Sequence, residues 1–373
     1  MHEEKRIVLA GGSGLLGRLL TRYFIEQGHR VVVLTRAPRL QGPVRQVGWD
    51  GDTLGAWTRE LEGAEAVINL AGQSVDCRYN RRNRRLILES RLEPTRILGE
   101  AIARCARPPG AWLNASTATI YRHSFDRLMD EATGVIAATP EAKDAFSLDV
   151  ARAWEETLEA APTPGTRKVA LRTAMVLTQG KNSVLPVLRR LARLGLGGAM
   201  AGGRQFVSWI HEADFCRAVG WILDHHELGG PVNLAAPGPV TNRELMRLLR
   251  RLLGVPVGLP APGWLLEIGA FLLGTETELV VKSRRVVPGR LLASGFRFRF
   301  PAIEEALRDL LIPGPHPRPK IMVTAGWAPG RQYRLDRTKP LNPGPRFAGQ
   351  SAEFAPPEEI VNPKGLASSY SPT

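Results

Sequence analysis

"KRIVLAGGSGLLGRLLTRYFIEQGHRVVVLTR", Lys5 to Arg36, is the stretch whose reading decides the fold. Ile7, Val8 and Leu9 form a short apolar run, as a parallel strand buried on both faces requires. Leu16, Leu19, Leu20, Tyr23 and Phe24 then recur at helical spacing, Gly28 ends that helix, and Val31 to Leu34 is the next strand. The order strand, helix, strand is a βαβ unit. Its first turn holds Gly11, Gly12, Ser13, Gly14, Leu15, Leu16 and Gly17, in the pattern Gly11-x-x-Gly14-x-x-Gly17. Gly11 permits the tight turn, Gly14 lets a pyrophosphate approach the backbone, and Gly17 lets the helix pack close to the sheet. The helix N-terminus adds free N–H groups for an anion. With all three flanking elements in place, the pattern predicts a dinucleotide site rather than a plain glycine turn.

The end of the second strand chooses between cofactors. An NAD site places Asp or Glu there for the ribose 2′-hydroxyl, whereas this chain has Thr35 and Arg36. A guanidinium pairs bidentately with anionic oxygens and so suits the 2′-phosphate of NADP(H). The competing reading of Arg36 is an exposed turn residue.

Outward from this unit the alternation continues. "AVINLAG" (Ala66 to Gly72) is a strand ending in a glycine turn, Leu86 to Arg104 a helix, and "AWLNAST" (Ala111 to Thr117) a strand. A helix over Phe146 to Ala160 and the strand "KVALRTAMVL" follow. The expected fold class is α/β, a Rossmann-type doubly wound parallel sheet. Thr241 or Asn242 caps a helix running to about Leu253, and prolines 256, 260 and 262 then break the chain. The expected organisation is a dinucleotide-binding domain over 1–240, a small α+β substrate domain over 241–312, and a proline-rich disordered tail over 313–373. The apolar "KIMVTAGW" in that tail is either a docking segment or nothing.

Composition bounds the rest. The chain has 373 residues, 43% of them hydrophobic and 23% charged, which is ordinary for a soluble globular protein. Cys77, Cys105 and Cys216 lie far apart, so neither a disulfide framework nor a zinc site is expected. No His/Asp/Glu cluster has ligand spacing, so no metal is expected. His211 reads as a cap or packing residue, and His225-His226 as the end of a helix. The first strand begins at Lys5 or Arg6, and the most apolar later stretch, Trp264 to Leu273, is short and interrupted by Glu267. The expectation is a cytoplasmic protein without a membrane segment, monomeric or homodimeric. The net charge of +14 invites a nucleic-acid reading. Its densest run, Arg78, Arg81, Arg82, Arg84 and Arg85, is a solvated face, an anionic small-molecule site or a nucleic-acid site. No aromatic interleaving supports the last, and no nucleic-acid partner is expected.

"GGSGLLG", "NLAG", "SRLEPTR", "RTAMVL", "GLGGAMAGGRQFVSWIHEADFCRAV" and "VVPGRLLASGFRFRFPAIEEAL" occur in one order over residues 5–312. Together they resemble the atypical extended short-chain dehydrogenase/reductases of the epimerase-like family, part of the NAD-dependent epimerase/dehydratase superfamily, with their own small C-terminal domain. The resemblance implies a Rossmann fold binding NADP(H) and a small-molecule substrate, sugar- or nucleotide-like. It implies that Thr35 and Arg36 meet the adenosine phosphate, that Leu70, Ala71 and Gly72 line the cofactor, and that Val176 touches the nicotinamide region. It implies that Arg91 reaches cofactor phosphate or substrate; by itself Arg91 is equally a helix-surface charge.

In that superfamily a helical Tyr-x-x-x-Lys does the acid–base work, the Lys lowering the Tyr pKa from one turn away. Here the matching positions hold Phe146 and Val150, which move no proton. None of Tyr23, Tyr79, Tyr121, Tyr333 and Tyr370 has Lys four residues on. Thr117 falls where the superfamily hydrogen-bonds a substrate carbonyl, and Tyr121 is either a substitute acid or a packing residue. Asp144 and Asp149, flanking Phe146, read as solvated. Two functions remain open: an NADP(H)-dependent oxidoreductase with another acid, or an NADP(H)-binding sensor or scaffold without turnover.

Overall fold

The apolar run at Ile7–Leu9 becomes the centre of a parallel sheet. In a computed structural model of the chain the strands are β1 (Arg6–Ala10), β2 (Arg30–Thr35), β3 (Arg45–Gly48), β4 (Ala66–Asn69), β5 (Ala111–Thr117) and β6 (Arg167–Thr173). β7 (Met175–Leu177), β8 (Phe206–Val207), β9 (Trp209–His211), β10 (Gly230–Leu234) and β11 (Val240–Thr241) complete the set. Seven of them form one sheet in the order β10-β6-β5-β4-β1-β2-β3. Every pairing in it is parallel, with Val8 opposite Val32 on one side and Val67 on the other. β7 pairs with β9 and β8 with β11 outside it. The structure describes residues 4–39, 44–181, 183–267 and 276–312; the tail over 313–373, and with it any docking of "KIMVTAGW", lies outside them.

The helices are α1 (Leu15–Glu26), α2 (Arg81–Ala103), α3 (Ala145–Glu159), α4 (Val184–Arg193), α5 (Glu212–Asp224) and α6 (Asn242–Leu253). Alternation along each strand sends side chains to opposite faces. Ile7, Leu9, Val31, Val33 and Ile68 meet Leu20 and Phe24 of α1 and Phe215 and Val219 of α5. Val8, Ala10, Val32, Leu34 and Val67 meet Ile97, Leu98 and Ile102 of α2. Each such buried Leu, Ile or Val stabilises the fold by roughly 1.5–3 kcal/mol before conformational entropy is counted. The two faces explain why the strands read as continuous apolar runs. The strand order reverses between β1 and β4, which opens a crevice at their C-terminal ends where open α/β sheets bind ligands.

A further core lies beyond the sheet. Leu177, Leu185, Leu188 and Trp209 pack with Leu245, Met246 and Leu249 of α6 and with Ile303, Leu307 and Leu310 of the helix Ile303–Leu311. Residues on both sides of position 240 therefore share one core. Thr241 caps α6 by accepting from the Glu244 N–H, and Gly254, at φ +68°, ends it in the left-handed conformation that glycine adopts freely. No helix among the described residues is long and apolar enough to cross a membrane.

Candidate functional site

The glycine loop sits at the β1 end of the crevice, and its glycines differ in what they face. Gly11 has φ +72°, and a Cβ there would lie 2.9 Å from the Ala71 amide nitrogen. The loop thus abuts Leu70 and Ala71 at the end of β4, while the Gly11 N–H donates to the Leu34 carbonyl near the end of β2. A Cβ on Gly17 would lie 2.4 Å from the Gly12 backbone, so Gly12 and Gly17 let α1 pack against the turn. Gly14 is exposed, and its only neighbour within 4 Å of a Cβ would be the Gly11 carbonyl at 3.5 Å. It is the N-cap of α1, and no side chain caps that terminus. An open backbone cradle in front of first-turn N–H groups is what a pyrophosphate needs. Ser13 offers its carbonyl to Arg18 at 3.3 Å, Leu15 packs against Gly180 beyond β7, and Leu16 packs on the sheet core.

Asn69, the last residue of β4, sets the other wall. Its Nδ2 donates to Asn114 Oδ1 (2.7 Å) and Thr95 Oγ1 (3.2 Å), and its Oδ1 accepts from the Ala71 N–H (3.0 Å). Trp154 Nε1 also donates to Thr95 Oγ1, at 3.1 Å. This buried polar network holds the turn Leu70-Ala71-Gly72 in one conformation, and it escaped the sequence reading because its members come from four separate elements. Arg91 lies beside that turn: its guanidinium donates to the Ile87 and Gln73 carbonyls and lies 5.1 Å over the Trp154 ring. Desolvation pulls the Arg91 pKa down to about 10. Thr35 is buried at the end of β2, and Arg36 is exposed just beyond it. Val176 is half-buried on β7 and packs on the sheet core. The structure therefore brings the glycine loop, residues 34–36, 70–72 and Arg91 to one edge.

Thr117, the last residue of β5, accepts from the Thr119 N–H at 3.1 Å. Tyr121 lies inward of it and is 2% exposed. Its hydroxyl donates to Asn233 Oδ1 (3.0 Å) and accepts from Arg172 (2.9 Å). Arg172 forms a bidentate pair with Glu155, which also accepts from Ser116 at 2.5 Å. Desolvation raises the Tyr121 pKa, against the opposing pull of Arg172. Trp154 and Glu155, adjacent on α3, thus each enter a buried network, one with Thr95 and one with Arg172.

Phe146 and Val150 stand one turn apart on α3. Val150 is buried, and the half-buried Phe146 packs edge-on to Tyr79, with ring centroids 5.0 Å apart, under the Arg84 guanidinium at 4.9 Å. The two carboxylates that flank Phe146 differ in burial. Asp149 is exposed, but Asp144 is fully buried and pairs with Lys282 at 2.7 Å, which corrects the expectation of a solvated carboxylate. Lys282 belongs to a strap, residues 276–287, laid over the C-terminal edge of the sheet. Glu276 accepts from the Tyr79 N–H, Lys282 Nζ donates to the Thr119 carbonyl, and Ser283 binds His123 and Ser124. Within the helix Glu278–Val281, Glu278 accepts from Ser147 Oγ at 2.7 Å. Desolvation, followed by the Glu278 charge, pushes the Tyr79 pKa up to about 12.

Among the described residues no cluster of His, Cys, Asp or Glu could hold a metal ion. His211 caps α5, its Nδ1 accepting from the Ala213 N–H, and His225 stacks on Trp221 at the other end of that helix.

Residues 7–235 match the NAD dependent epimerase/dehydratase family, and residues 261–310 match a domain of unknown function, DUF1731. The epimerase family protein SDR39U1 of Bos taurus is 33% identical over 313 residues, covering 82% of this chain and 99% of its own. The crystal structure of human epimerase family protein SDR39U1 (isoform 2) with NADPH superposes with a TM-score of 0.71 at 29% identity, over 82% of this chain and 98% of that one. A nucleoside-diphosphate sugar epimerase from Corynebacterium glutamicum superposes with a TM-score of 0.65 at 26% identity, over 83% of this chain and 58% of that one. With the glycine loop and the seven-stranded sheet inside the matched residues 7–235, the chain belongs to the NAD dependent epimerase/dehydratase family.

Proposed function

We propose that the protein binds NADP(H) across the β1–β4 crevice and acts as an epimerase-like oxidoreductase on a small, sugar- or nucleotide-like molecule. The observation that carries this reading is the open cradle at Gly14 before the uncapped N-terminus of α1. The residues fit the cofactor along its length. Gly11, Gly14 and the first turn of α1 hold the pyrophosphate, and Thr35 and Arg36 hold the adenosine end, with Arg36 on the 2′-phosphate. Leu70, Ala71, Gly72 and Val176 line the remaining length, and Arg91 closes the wall beside Gly72. The NADPH in the human relative's structure supports the choice of cofactor. The bound group supplies the hydride chemistry; the protein positions it and keeps water from its reactive end.

Thr117 is the hydroxyl we assign to a substrate oxygen. Tyr121 enters this reading as a structural tie rather than as the acid, since its hydroxyl is already bonded on both sides and desolvated. The apolar pair Phe146 and Val150 favours a second reading, a sensor that binds NADP(H) without turning over. The NADPH-loaded protein, incubated with a pool of nucleotide sugars and other carbonyl metabolites, separates the two. Oxidised cofactor or an altered sugar supports the enzyme; tight binding with neither supports the sensor.

A further inference from the structure

We propose that Glu278 is the proton carrier of this site, held by Ser147 and directed at the nicotinamide end of the crevice, in place of the missing Tyr–Lys pair. The proposal rests on the cofactor reading above. Three observations carry it. Glu278 is 4% exposed, and among the described residues its Oε1 has no hydrogen-bond partner, while Oε2 accepts from Ser147 Oγ at 2.7 Å. A buried carboxyl with one committed oxygen and one unused oxygen is costly unless it has something to exchange with. Ser147 is the residue after Phe146, and Phe146 packs on Tyr79, so the carboxyl lies beside that aromatic pair at the N-terminus of α3. Glu278 also rides on the strap, which is fixed to that terminus by the fully buried pair Lys282–Asp144. The fixed strap keeps the carboxyl at the C-terminal edge, where the sheet binds ligands.

With the reduced cofactor bound, its nicotinamide would supply the hydride, and with it both electrons, to a substrate carbonyl carbon. Glu278 would supply the proton to the carbonyl oxygen, giving an alcohol, and the carboxylate would regain its proton from water. A neutral carboxyl is needed for this, and desolvation raises the Glu278 pKa, with Ser147, Arg284 and Lys282 opposing and Asp144 assisting. Ser147 is a positioning residue whose hydrogen bond favours the carboxylate. Of the other groups in the cluster, Tyr79 stays neutral below pH 8, and His123 is the other titratable group to separate from Glu278, its pKa lowered by desolvation.

The test uses the full chain and both redox states of the cofactor, and needs no substrate. Oxidation places a positive charge on the nicotinamide ring, which a nearby carboxylate attracts. Calorimetry from pH 4.5 to 8 gives the ratio of the NADP+ and NADPH dissociation constants, in which the titration of the shared 2′-phosphate cancels. The ratio should fall about tenfold as Glu278 ionises, the size expected for opposite unit charges within roughly 10 Å at an effective dielectric near 20. Glu278→Gln should flatten it, and Ser147→Ala should move the fall to higher pH. A flat ratio in the wild-type protein with tight NADPH binding overturns the proposal and leaves the cofactor reading standing. A slope that survives in Glu278→Gln assigns the titration to His123 and overturns it too. Failure to bind either cofactor removes the cofactor reading and the proposal together.

Discussion

Lys282 Nζ lies 2.7 Å from the Asp144 carboxylate, and neither side chain has any surface in contact with solvent. The pair joins the strap to the N-terminus of α3, and Asp144 also accepts from the Thr139 N–H at 2.7 Å. Removing one member leaves the other charge buried alone, which typically costs about 3–5 kcal/mol. Lys282→Met should lower stability by that amount in urea unfolding. The double variant Lys282→Met/Asp144→Asn should recover much of the loss, because Asn keeps an acceptor for Thr139 and carries no charge. Additive losses would show that the two do not act as a pair.

Two glycines of one loop should behave oppositely. Gly17→Ala drives a methyl to 2.4 Å from the Gly12 backbone and should destabilise the fold by about 1–3 kcal/mol or more. Gly14→Ala meets nothing closer than 3.5 Å on an extended backbone, so its melting temperature should hold while NADPH affinity falls at least tenfold. Thermal melts and calorimetry on the two variants check this.

Stability should depend on pH through Glu278. Burial raises its folded-state pKa above the ordinary 4.5. Its stabilising contribution is therefore complete below pH 4.5 and is lost as pH rises through the folded pKa, at about 1.4 kcal/mol per unit between the two values. Glutamine stays neutral throughout. Glu278→Gln should thus be more stable than the wild-type chain at pH 8, with the difference closing below about pH 4.5. Equal stability at both pH values would show a carboxyl that titrates normally.

The parts of the site that were legible in the sequence are local ones. The glycine loop, α1 and β2 lie within about thirty residues, so spacing alone announces the βαβ unit and the crevice edge. That Phe146 and Val150 stand one turn apart on one helix was legible for the same reason. Asp144 was misread because its partner lies far along the chain, in "VVKSRRVV", whose charges look solvated until the strap folds over α3. Glu278 and Tyr79 were invisible for the same reason, since burial and not residue type gives them their character. Tyr121 shows the converse. Its position after β5 suggested a role at the open edge, but only the fold reveals Arg172 and Asn233 on either side of its hydroxyl.

Tyr121→Phe removes a buried hydroxyl between two partners and should cost roughly 1–3 kcal/mol of stability. NADPH affinity should be unchanged. A fall in affinity with intact stability would move Tyr121 from the scaffold to the site.

Calorimetry with NADPH and NADH on the wild-type chain and on Arg36→Ala tests whether the crevice selects the 2′-phosphate. NADPH should bind at least tenfold more tightly than NADH, and Arg36→Ala should bring the two affinities together by weakening NADPH alone. Equal affinities in the wild-type protein, or a preference that survives Arg36→Ala, would contradict the claim.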